Sequence, residues 1–290
     1  MDTPRPIACI GDNVVDVFRD RRRAYPGGNA YNVAAYAALI HKAPASFTGI
    51  VGDDEFGDHI VATLRELDID AEGIRRAHGP SGQALVDVAP DGDRIFVGSN
   101  RGGVQRSLSL RLTPEDEQRL SASRLIHTSI YSGIDHLLPR LAGLAPVSYD
   151  FSEAPEMSAI QTLLPHISVA CFSGAHLGDK ERRALGRRVL AHGPQVALVT
   201  AGRAGAYAYT TAEEHHEAIV PTLVVDALGA GDSFITGFLH HWTLGASVAA
   251  AMAEGARSGA AACRFEGAFG HPVAVSAEQI AAITAGVGAR

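Results

Sequence analysis

The chain has 290 residues, of which 46% are hydrophobic and 20% are charged, and its formal net charge at pH 7 is −7. This composition supports a sizeable buried core and is atypical of disordered chains. The acidic balance argues against broad binding to nucleic acids or anionic membranes. Three scattered cysteines, Cys9, Cys171 and Cys263, form no disulfide framework and no C-x-x-C pair, which favours a reducing compartment.

The N-terminus lacks the basic-then-apolar pattern of a signal peptide, and no apolar run has the length of a membrane span. We therefore expect a cytoplasmic protein with no nucleic-acid partner and no membrane partner.

The first predicted strand, Ile7 to Ile10, is apolar throughout, which favours a sheet position covered on both faces. Asn13 and Asp16 follow it, at the edge of an open α/β sheet where ligands bind. Asp16 offers two acceptor oxygens to sugar hydroxyls, although a turn-forming aspartate is an equal alternative. Next, Gly27 and Gly28 open an alanine-rich helix, roughly Ala30 to Ile40, with Asn32 in its first turns.

Residues 81–104 interrupt the β-α rhythm that follows. Strands over 83–88 and 94–97, joined by a Pro90-Asp91-Gly92-Asp93 turn, predict a β-hairpin. Together with residues 13–24 it would form a small sheet, a lid over Asp16. The charge run 19–23 is typical of a solvated hairpin end, with the alternative that it presents a cation to an anionic substrate group.

The remaining chain predicts alternating strands and helices. The strands are 47–51, 124–128, 146–150, 169–172 and 196–200, and the helices are 56–67, 113–120, 181–192, 247–262 and one from residue 276. Such alternation indicates an α/β domain with a mainly parallel sheet covered on both faces. We expect one domain over residues 1–290, with the lid (13–24 and 81–104) inserted in it.

A strand over Ala218 to Val225, the turn Gly229-Ala230-Gly231 and an apolar helix beginning with Asp232 form the most informative stretch. Glycine backbone N–H groups and a helix N-terminus together make a seat for a phosphate. The helix dipole should keep Asp232 ionised, so that it can accept a proton from a hydroxyl. The alternative is that Asp232 is merely a favourable charge at a helix start.

Other chemistries find little support. The thirteen histidines show no zinc-ligand spacing, and no G-x-S-x-G nucleophile elbow is present.

The stretch Asp226-Ala227-Leu228-Gly229-Ala230-Gly231-Asp232-Ser233-Phe234 closely resembles the second signature of the ribokinase (PfkB-type) carbohydrate kinases. Gly27-Gly28-Asn29-Ala30-Tyr31-Asn32-Val33-Ala34 resembles the first. Their order, their separation and the interrupting hairpin extend the resemblance over nearly the whole chain. Among the members, the chain looks most like the fructoselysine 6-kinase branch. The resemblance implies a ribokinase-like fold that binds a small-molecule sugar and ATP, with a homodimer formed through the lid.

The resemblance also assigns roles to residues. Asp232 would deprotonate the acceptor hydroxyl, and the N–H groups of Gly229, Ala230 and Gly231 would stabilise the transferring phosphoryl group. The sugar would be held by Asp16, Gly27, Gly28 and Asn32. Arg101, which departs from the branch's pattern, is predicted to bind a carboxylate of the substrate's tail; the alternative is that it is a solvated turn residue. The ATP site would be lined by Thr200, Gly202 and Gly205. Asp226 would bind a monovalent cation such as K⁺, and Mg²⁺ would accompany ATP.

Two departures bear on magnesium and on the substrate. The family's N-x-x-E motif should fall near Ser173-Gly174-Ala175-His176, which contains neither Asn nor Glu, so Mg²⁺ would be held mainly by phosphates and water. The fructoselysine branch tends to carry an acidic residue near Arg101. A cation there favours a carboxylate tail over a lysine ammonium. An ATP-dependent kinase acting on a primary hydroxyl is the resulting expectation, with a ribokinase, a nucleoside kinase or a non-catalytic sugar- or nucleotide-binding regulator as alternatives.

Overall fold

The secondary structure is taken from a computed structural model that describes residues 5–88, 94–153 and 156–288. The strands are β1 (Ile7–Ile10), β2 (Val14–Phe18), β3 (Arg23–Gly27), β4 (Ala45–Gly52), β5 (Asp70–Ala77), β6 (Gln83–Val88), β7 (Arg94–Ser99), β8 (Leu125–Ser129), β9 (Val147–Glu153), β10 (Val169–Ser173), β11 (Val196–Thr200), β12 (Ala206–Tyr209), β13 (Glu214–Glu217) and β14 (Val273–Ala274). The helices are α1 (Asn29–Leu39), α2 (Glu55–Glu66), α3 (Gly103–Ser107), α4 (Pro114–Ser121), α5 (Leu138–Ala142), α6 (Met157–Ile160), α7 (Asp179–Leu190), α8 (Ala230–Trp242), α9 (Val248–Ala262) and α10 (Ala277–Gly288).

The main sheet has nine strands in the order β13-β12-β11-β10-β9-β8-β1-β4-β5. The pairs from β11 through β5 are parallel, and β12 and β13 add antiparallel strands at one edge. The predicted α/β fold with a mainly parallel sheet is confirmed. The edge strand β5 was not predicted, because its sequence is rich in charged residues and has neither a continuous apolar run nor a regular alternation.

Strand β1 shows how the sheet is covered on both faces. Its four residues are fully buried; Ile7 and Cys9 belong to one apolar core, and Ala8 and Ile10 belong to the other. Alternate residues of a strand point to opposite faces, so an unbroken apolar strand requires packing on both sides. Parallel strands buried in this way end at one edge, where the loops after them converge.

A second, mixed sheet has the order β14-β3-β2-β6-β7 and is called the lid sheet below. It contains the predicted small sheet; the predicted Pro90–Asp93 turn lies outside the described residues. Strands β2 and β6 pair in parallel, which joins the two predicted lid segments directly. Phe18, Tyr25 and Val86 form a small apolar cluster on this sheet, against which Leu228 packs. The lid sheet therefore contacts the loop that precedes the glycine turn.

The prediction of a strand over Ala218 to Val225 is wrong. The strand of this region is β13, which ends at Glu217, and residues 218–225 have no regular structure. Leu223 and Val224 are 81% and 60% exposed, so the apolar run is not a buried strand. The main chain is instead anchored to α9, because Val225 N–H donates to Cys263 O at 2.8 Å.

Asp12, a buried carboxylate just after β1, contacts and stabilises the start of α1, although the two are apart in sequence. It accepts hydrogen bonds from the backbone N–H groups of Asn29 and Ala30, and from the hydroxyls of Ser129 and Ser132. The first N–H groups of a helix have no intrahelical partner, and the preceding Gly28 has no side chain to supply one. Gly28 has φ +110°, and an added Cβ would lie 2.9 Å from Asp12 O, so the turn requires glycine.

Within the described residues, no helix combines the length and the apolar character needed to cross a membrane. Cys9, Cys171 and Cys263 are free thiols, the first two of them buried.

Candidate active site

A cleft of about 950 Å³ lies between the carboxyl ends of the parallel strands and the lid sheet. Its floor is formed by the residues just after β1 and β8 and by the loop before α8, together with the ends of β9, β10 and β11. Of the residues predicted for the site, the cleft is lined by Asp16, Gly28, Asn32, Arg101, Thr200, Gly231 and Asp232. The topology thus joins both glycine-rich signatures at one ligand-binding edge.

Asp232 lies in the first turn of α8 and is partly exposed to the cleft. Its Oδ2 accepts a hydrogen bond from Asn32 Nδ2 at 2.6 Å. Its Oδ1 accepts one from Asn29 Nδ2 at 3.0 Å. The start of α1 therefore orients both oxygens of the predicted base, although 200 residues separate Asn32 from Asp232.

A second carboxyl group, Asp150, lies beside this pair in the middle of β9 and was not predicted as a site residue. Its Oδ2 accepts from Asn29 Nδ2 at 2.5 Å, and its Oδ1 accepts from Ser152 N–H at 2.7 Å. One amide thus bridges Asp150 and Asp232. The available sign was a carboxylate at the end of the predicted strand 146–150, the position where ligand-binding side chains are expected.

Burial and charge repulsion act on both carboxyl groups. Burial raises the pKa of Asp150 to about 6, an effect that hydrogen bonds from Ser152 and Asn29 oppose and that Asp12 reinforces. Burial and then the charge of Asp150 raise the pKa of Asp232 well above its ordinary value, against the hydrogen bond from Asn32. Desolvation and like charges thus act against the helix dipole, which was expected to keep Asp232 ionised.

The glycine turn before α8 approaches its neighbours closely. Gly229 has φ +73°, and an added Cβ would lie 2.4 Å from Tyr36 Oη. Gly231 faces the cleft, with Thr200 Oγ1 4.0 Å from the position of an added Cβ. Ala230 N–H donates to Ala227 O at 3.2 Å. It would have to exchange that carbonyl for a phosphoryl oxygen to act as predicted.

The other predicted ATP residues have different positions. Thr200 ends β11 and lines the cleft beside Ser173 of β10, its parallel partner. Gly202 and Gly205 lie in the turn between β11 and β12, with φ +56° and +86°. An added Cβ at Gly205 would lie 2.1 Å from Glu217 O. These two glycines shape the turn rather than line the cleft.

Two arginines of the lid region face the cleft, and a third does not. Arg101 lines it from the turn after β7, where its φ is +57°. Arg106 of α3, which was not predicted, lines it as well. Arg23 is 3.6 Å from Glu266 in an ion pair and is not part of the cleft wall.

Asp226 connects two loops. Its buried carboxylate accepts hydrogen bonds from Leu228 N–H at 2.8 Å and from Gly267 N–H at 3.1 Å. The contact joins the loop before the glycine turn to the loop after α9.

The histidines contain a cluster that their spacing along the sequence does not reveal. Ligand atoms of His41, His240 and His241 lie within 4.8 Å of one another. Arg124 Nη2 already lies 2.6 Å from His240 Nδ1, and the rings of His41 and His240 stack. The cluster is therefore held together by its own contacts, at the opposite end of α8 from Asp232.

Three comparisons relate the chain to known proteins. Residues 12–270 match the model of the pfkB family of carbohydrate kinases. Fructosamine kinase FrlD of Bacillus subtilis is 40% identical over 91% of this chain and 93% of its own length. Fructoselysine 6-kinase of Escherichia coli is 33% identical over 91% of this chain and 100% of its own.

Solved structures of low sequence identity share the fold. Ribokinase of Arabidopsis thaliana, solved with ribose and ATP, superposes with a TM-score of 0.80 at 18% identity, covering 97% of this chain and 99% of its own. A ribokinase-like protein of Escherichia coli, solved with ATP and Mg²⁺, gives 0.76 at 21% identity over 91% and 94% of the two chains. The predicted ribokinase-like fold is confirmed.

Replacing Asp150 should change how stability depends on pH. Because its folded pKa is raised, Asp150 retains a proton between about pH 4 and 6 that the unfolded chain releases. Stability is therefore lost as pH rises through this window. We expect Asp150→Asn to become more stable relative to wild type as pH rises. The difference between their unfolding free energies should change in favour of the variant by about 2 kcal/mol from pH 4 to pH 8.

Urea unfolding at several pH values measures this difference. Any pH-independent cost of the amide cancels in the comparison. Asp20→Asn, at a side chain 52% exposed, is the control, and its unfolding free energy should follow that of wild type at every pH. A constant difference between Asp150→Asn and wild type across this range would contradict the burial argument.

Proposed function

The chain belongs to the pfkB family of carbohydrate kinases, and we propose that it transfers the γ-phosphate of ATP to a primary hydroxyl of a fructose–amino-acid conjugate. The observation that carries this proposal is the placement of Asp232. Its two oxygens are held by Asn29 and Asn32 on the cleft floor, one residue after a glycine turn at a helix N-terminus. The substrate class rests on the similarity to a fructosamine kinase and to fructoselysine 6-kinases.

In the proposed reaction, Asp232 accepts the proton of the substrate hydroxyl while the hydroxyl oxygen forms a bond to the γ-phosphorus. The bond from that phosphorus to the ADP oxygen breaks, and ADP leaves with the electron pair. A carboxylate with a raised pKa is a stronger base than an exposed one. The two amide contacts hold both oxygens of this carboxylate in place at the cleft.

The glycine turn would stabilise the negative charge of the phosphoryl group during its transfer. Backbone N–H groups at the N-terminus of α8 have no intrahelical partner and are aligned with the positive end of the helix dipole. We assign this role to Gly229, Ala230 and Gly231. Thr200, Gly202 and Gly205 would shape the nucleotide side.

The residues on the nucleotide side fit magnesium held mainly by ATP. Ser173–His176 provides no carboxylate, whereas the Thr200 hydroxyl and the bare backbone of Gly231 suit phosphate oxygens. Mg²⁺ bound with ATP would neutralise phosphate charge.

The sugar would lie between Asp16, Gly28 and Asn32. An added Cβ at Gly27 would lie 3.0 Å from Asp16 Oδ2 and 3.6 Å from Asn32 Oδ1. A side chain there would fill the space between two hydroxyl-binding groups. The lid sheet is expected to close over the sugar and exclude water; that closure stays a prediction.

Asp232→Asn tests the base. The variant keeps the shape of the side chain but cannot accept the proton, so kcat should fall about a hundredfold or more while ATP still binds. Coupled ADP-release kinetics with fructoselysine, together with calorimetric ATP titration, measure the two effects. Turnover within a few-fold of wild type would show that another group is the base.

The arginines of the cleft should recognise the amino-acid tail of the substrate. The reacting hydroxyl points at Asp232, so the tail points toward Arg101 and Arg106, whose guanidinium groups can bind a carboxylate in a bidentate manner. A fructose conjugate of glutamate should therefore be preferred over fructoselysine. Loss of one charge-assisted hydrogen bond costs roughly 1.5–3 kcal/mol, or about tenfold to a hundredfold in kcat/KM.

Arg101→Ala and Arg106→Ala should each reduce this preference, whereas the exposed Arg111→Ala should leave it intact. Ribose and adenosine in the same panel test the ribokinase and nucleoside-kinase alternatives. The wild type could prefer the lysine conjugate, or neither variant could change the ratio of kcat/KM for the two conjugates. Either result would show that these arginines do not recognise the tail.

Asp226 is proposed to contribute to a K⁺ site between the loops it joins. Backbone carbonyls of the same loops would supply further oxygens, and the cation would stiffen the anion-binding turn. Activity should rise several-fold when K⁺ replaces tetramethylammonium at equal ionic strength, and Asp226→Asn should blunt that rise. Equal wild-type rates in both salts would argue decisively against a functional cation.

A homodimer through the lid sheet is proposed from its edge strand. Among the described residues β7 is the last strand of this sheet, and Ile95 is 50% exposed. Edge strands with exposed apolar side chains are suited to pairing with another chain. Sedimentation velocity at micromolar concentration should show a dimer that Ile95→Lys converts to a monomer. A wild-type protein that sediments as a monomer would refute it.

A further inference from the structure

A buried chain of hydrogen bonds lies behind the two carboxyl groups of the cleft. Ser148 Oγ is 3.2 Å from His127 Nδ1, and His127 Nε2 is 3.1 Å from Asn29 Oδ1. The Asn29 amide nitrogen then reaches Asp150 and Asp232. His127 belongs to β8, which lies between β1 and β9, and its side chain is fully buried.

The chemistry of these groups determines where the protons lie. The Asn29 side-chain oxygen can only accept, so His127 Nε2 must carry the hydrogen that it donates. Burial lowers the pKa of His127 to about 3, so the ring is neutral near pH 7. Nδ1 is consequently an acceptor and receives the hydroxyl hydrogen of Ser148.

The two carboxyl groups on one side and the donor at His127 Nε2 on the other favour the same orientation of the Asn29 amide. With its oxygen toward His127, the NH₂ group offers one hydrogen to each carboxyl group. A flipped amide would place its carbonyl oxygen against Asp150 and Asp232 and its NH₂ group against the donating Nε2 of His127. Both changes replace hydrogen bonds with repulsion, and buried polar groups without partners are costly.

We propose that His127, acting through Asn29, is the positioning residue that holds Asp150 and Asp232 together and keeps Asp232 oriented for proton abstraction. This inference rests on the proposed function, because it takes Asp232 to be the base. His127 does not itself line the cleft and reaches it only through Asn29. Ser148 completes the chain by donating to Nδ1.

The consequence is a defined dependence of catalysis on pH. A hydrogen bond donated to a carboxylate favours its ionised form and lowers its pKa. The charged groups that act on Asp232 are Asp150, Asp12 and Asp16, all of which raise its pKa. If the Asn29 amide loses its fixed orientation, the ionised state of Asp232 loses a donor, and the acid limb of kcat moves to higher pH.

Three variants test this with ATP, Mg²⁺ and fructoselysine at saturation. His127→Leu should move the acid limb upward by about one pH unit, the shift expected for one lost hydrogen bond to a charged group. That shift lowers kcat about tenfold at pH values on the acid limb. The high-pH plateau and KM for ATP should stay within about threefold of wild type. His127→Gln, whose amide can still donate to Asn29, should recover most of the shift.

Thr128→Val is the matched control on the same strand. Thr128 is also fully buried, and its side chain lies next to His127 in sequence. Because neighbouring strand residues point to opposite faces, this variant perturbs β8 without touching the chain of hydrogen bonds. Its acid limb should coincide with that of wild type. A shift as large as that of His127→Leu would show a general effect of β8 packing and overturn the proposal.

Nitrogen-15 spectra of histidine-labelled wild-type protein provide a readout that needs neither activity nor a variant. His127 should appear as the neutral tautomer with hydrogen on Nε2 and should not titrate between pH 5 and 8. The opposite tautomer, titration in that range, or an unshifted acid limb in a folded His127→Leu would each overturn the positioning role. Undiminished activity of Asp232→Asn would instead show that Asp232 is not the base. Failure of the proposed base and failure of the His127 positioning role are therefore distinguishable.

Discussion

Two carboxyl groups share one amide at the floor of the cleft, and the rest of the site is arranged around that contact. Asp150 and Asp232 come from β9 and α8, and both hydrogen-bond to the side chain of Asn29. Burial raises both pKa values, and at Asp232 the charge of Asp150 adds to the rise. The Asn29 amide nitrogen donates to both carboxyl groups and so offsets part of the repulsion between them.

The same contact depends on how the first signature is held. Asp12 binds the backbone N–H groups of Asn29 and Ala30 and the hydroxyls after β8. The start of α1, the end of β1 and the loop after β8 thus form one hydrogen-bonded unit. Gly28 permits this close approach, since any side chain would meet the backbone of Asp12. A buried network in which every member is satisfied favours one arrangement over its alternatives.

Much of this was predictable from local pattern. The strands β1 and β11 match the predicted bounds, since their apolar runs are short and continuous and end at turn residues. The strand predicted for Ala218 to Val225 failed because β-branched residues are also compatible with an extended, exposed segment. Asp150 and Asn29 escaped prediction for another reason. Their importance comes from contacts across 121 and 203 residues of sequence, which no periodicity reveals.

The central claim is that the cleft phosphorylates the primary hydroxyl of an amino-acid-linked fructose. Phosphorus-31 NMR of the product formed from ATP and fructoselysine tests it most directly, because a proton–phosphorus correlation identifies the esterified carbon. A single phosphomonoester on the C6 oxygen, formed as ADP appears in equal amount, is the predicted result. Phosphate on another hydroxyl, or ATP consumed only to inorganic phosphate, would contradict it.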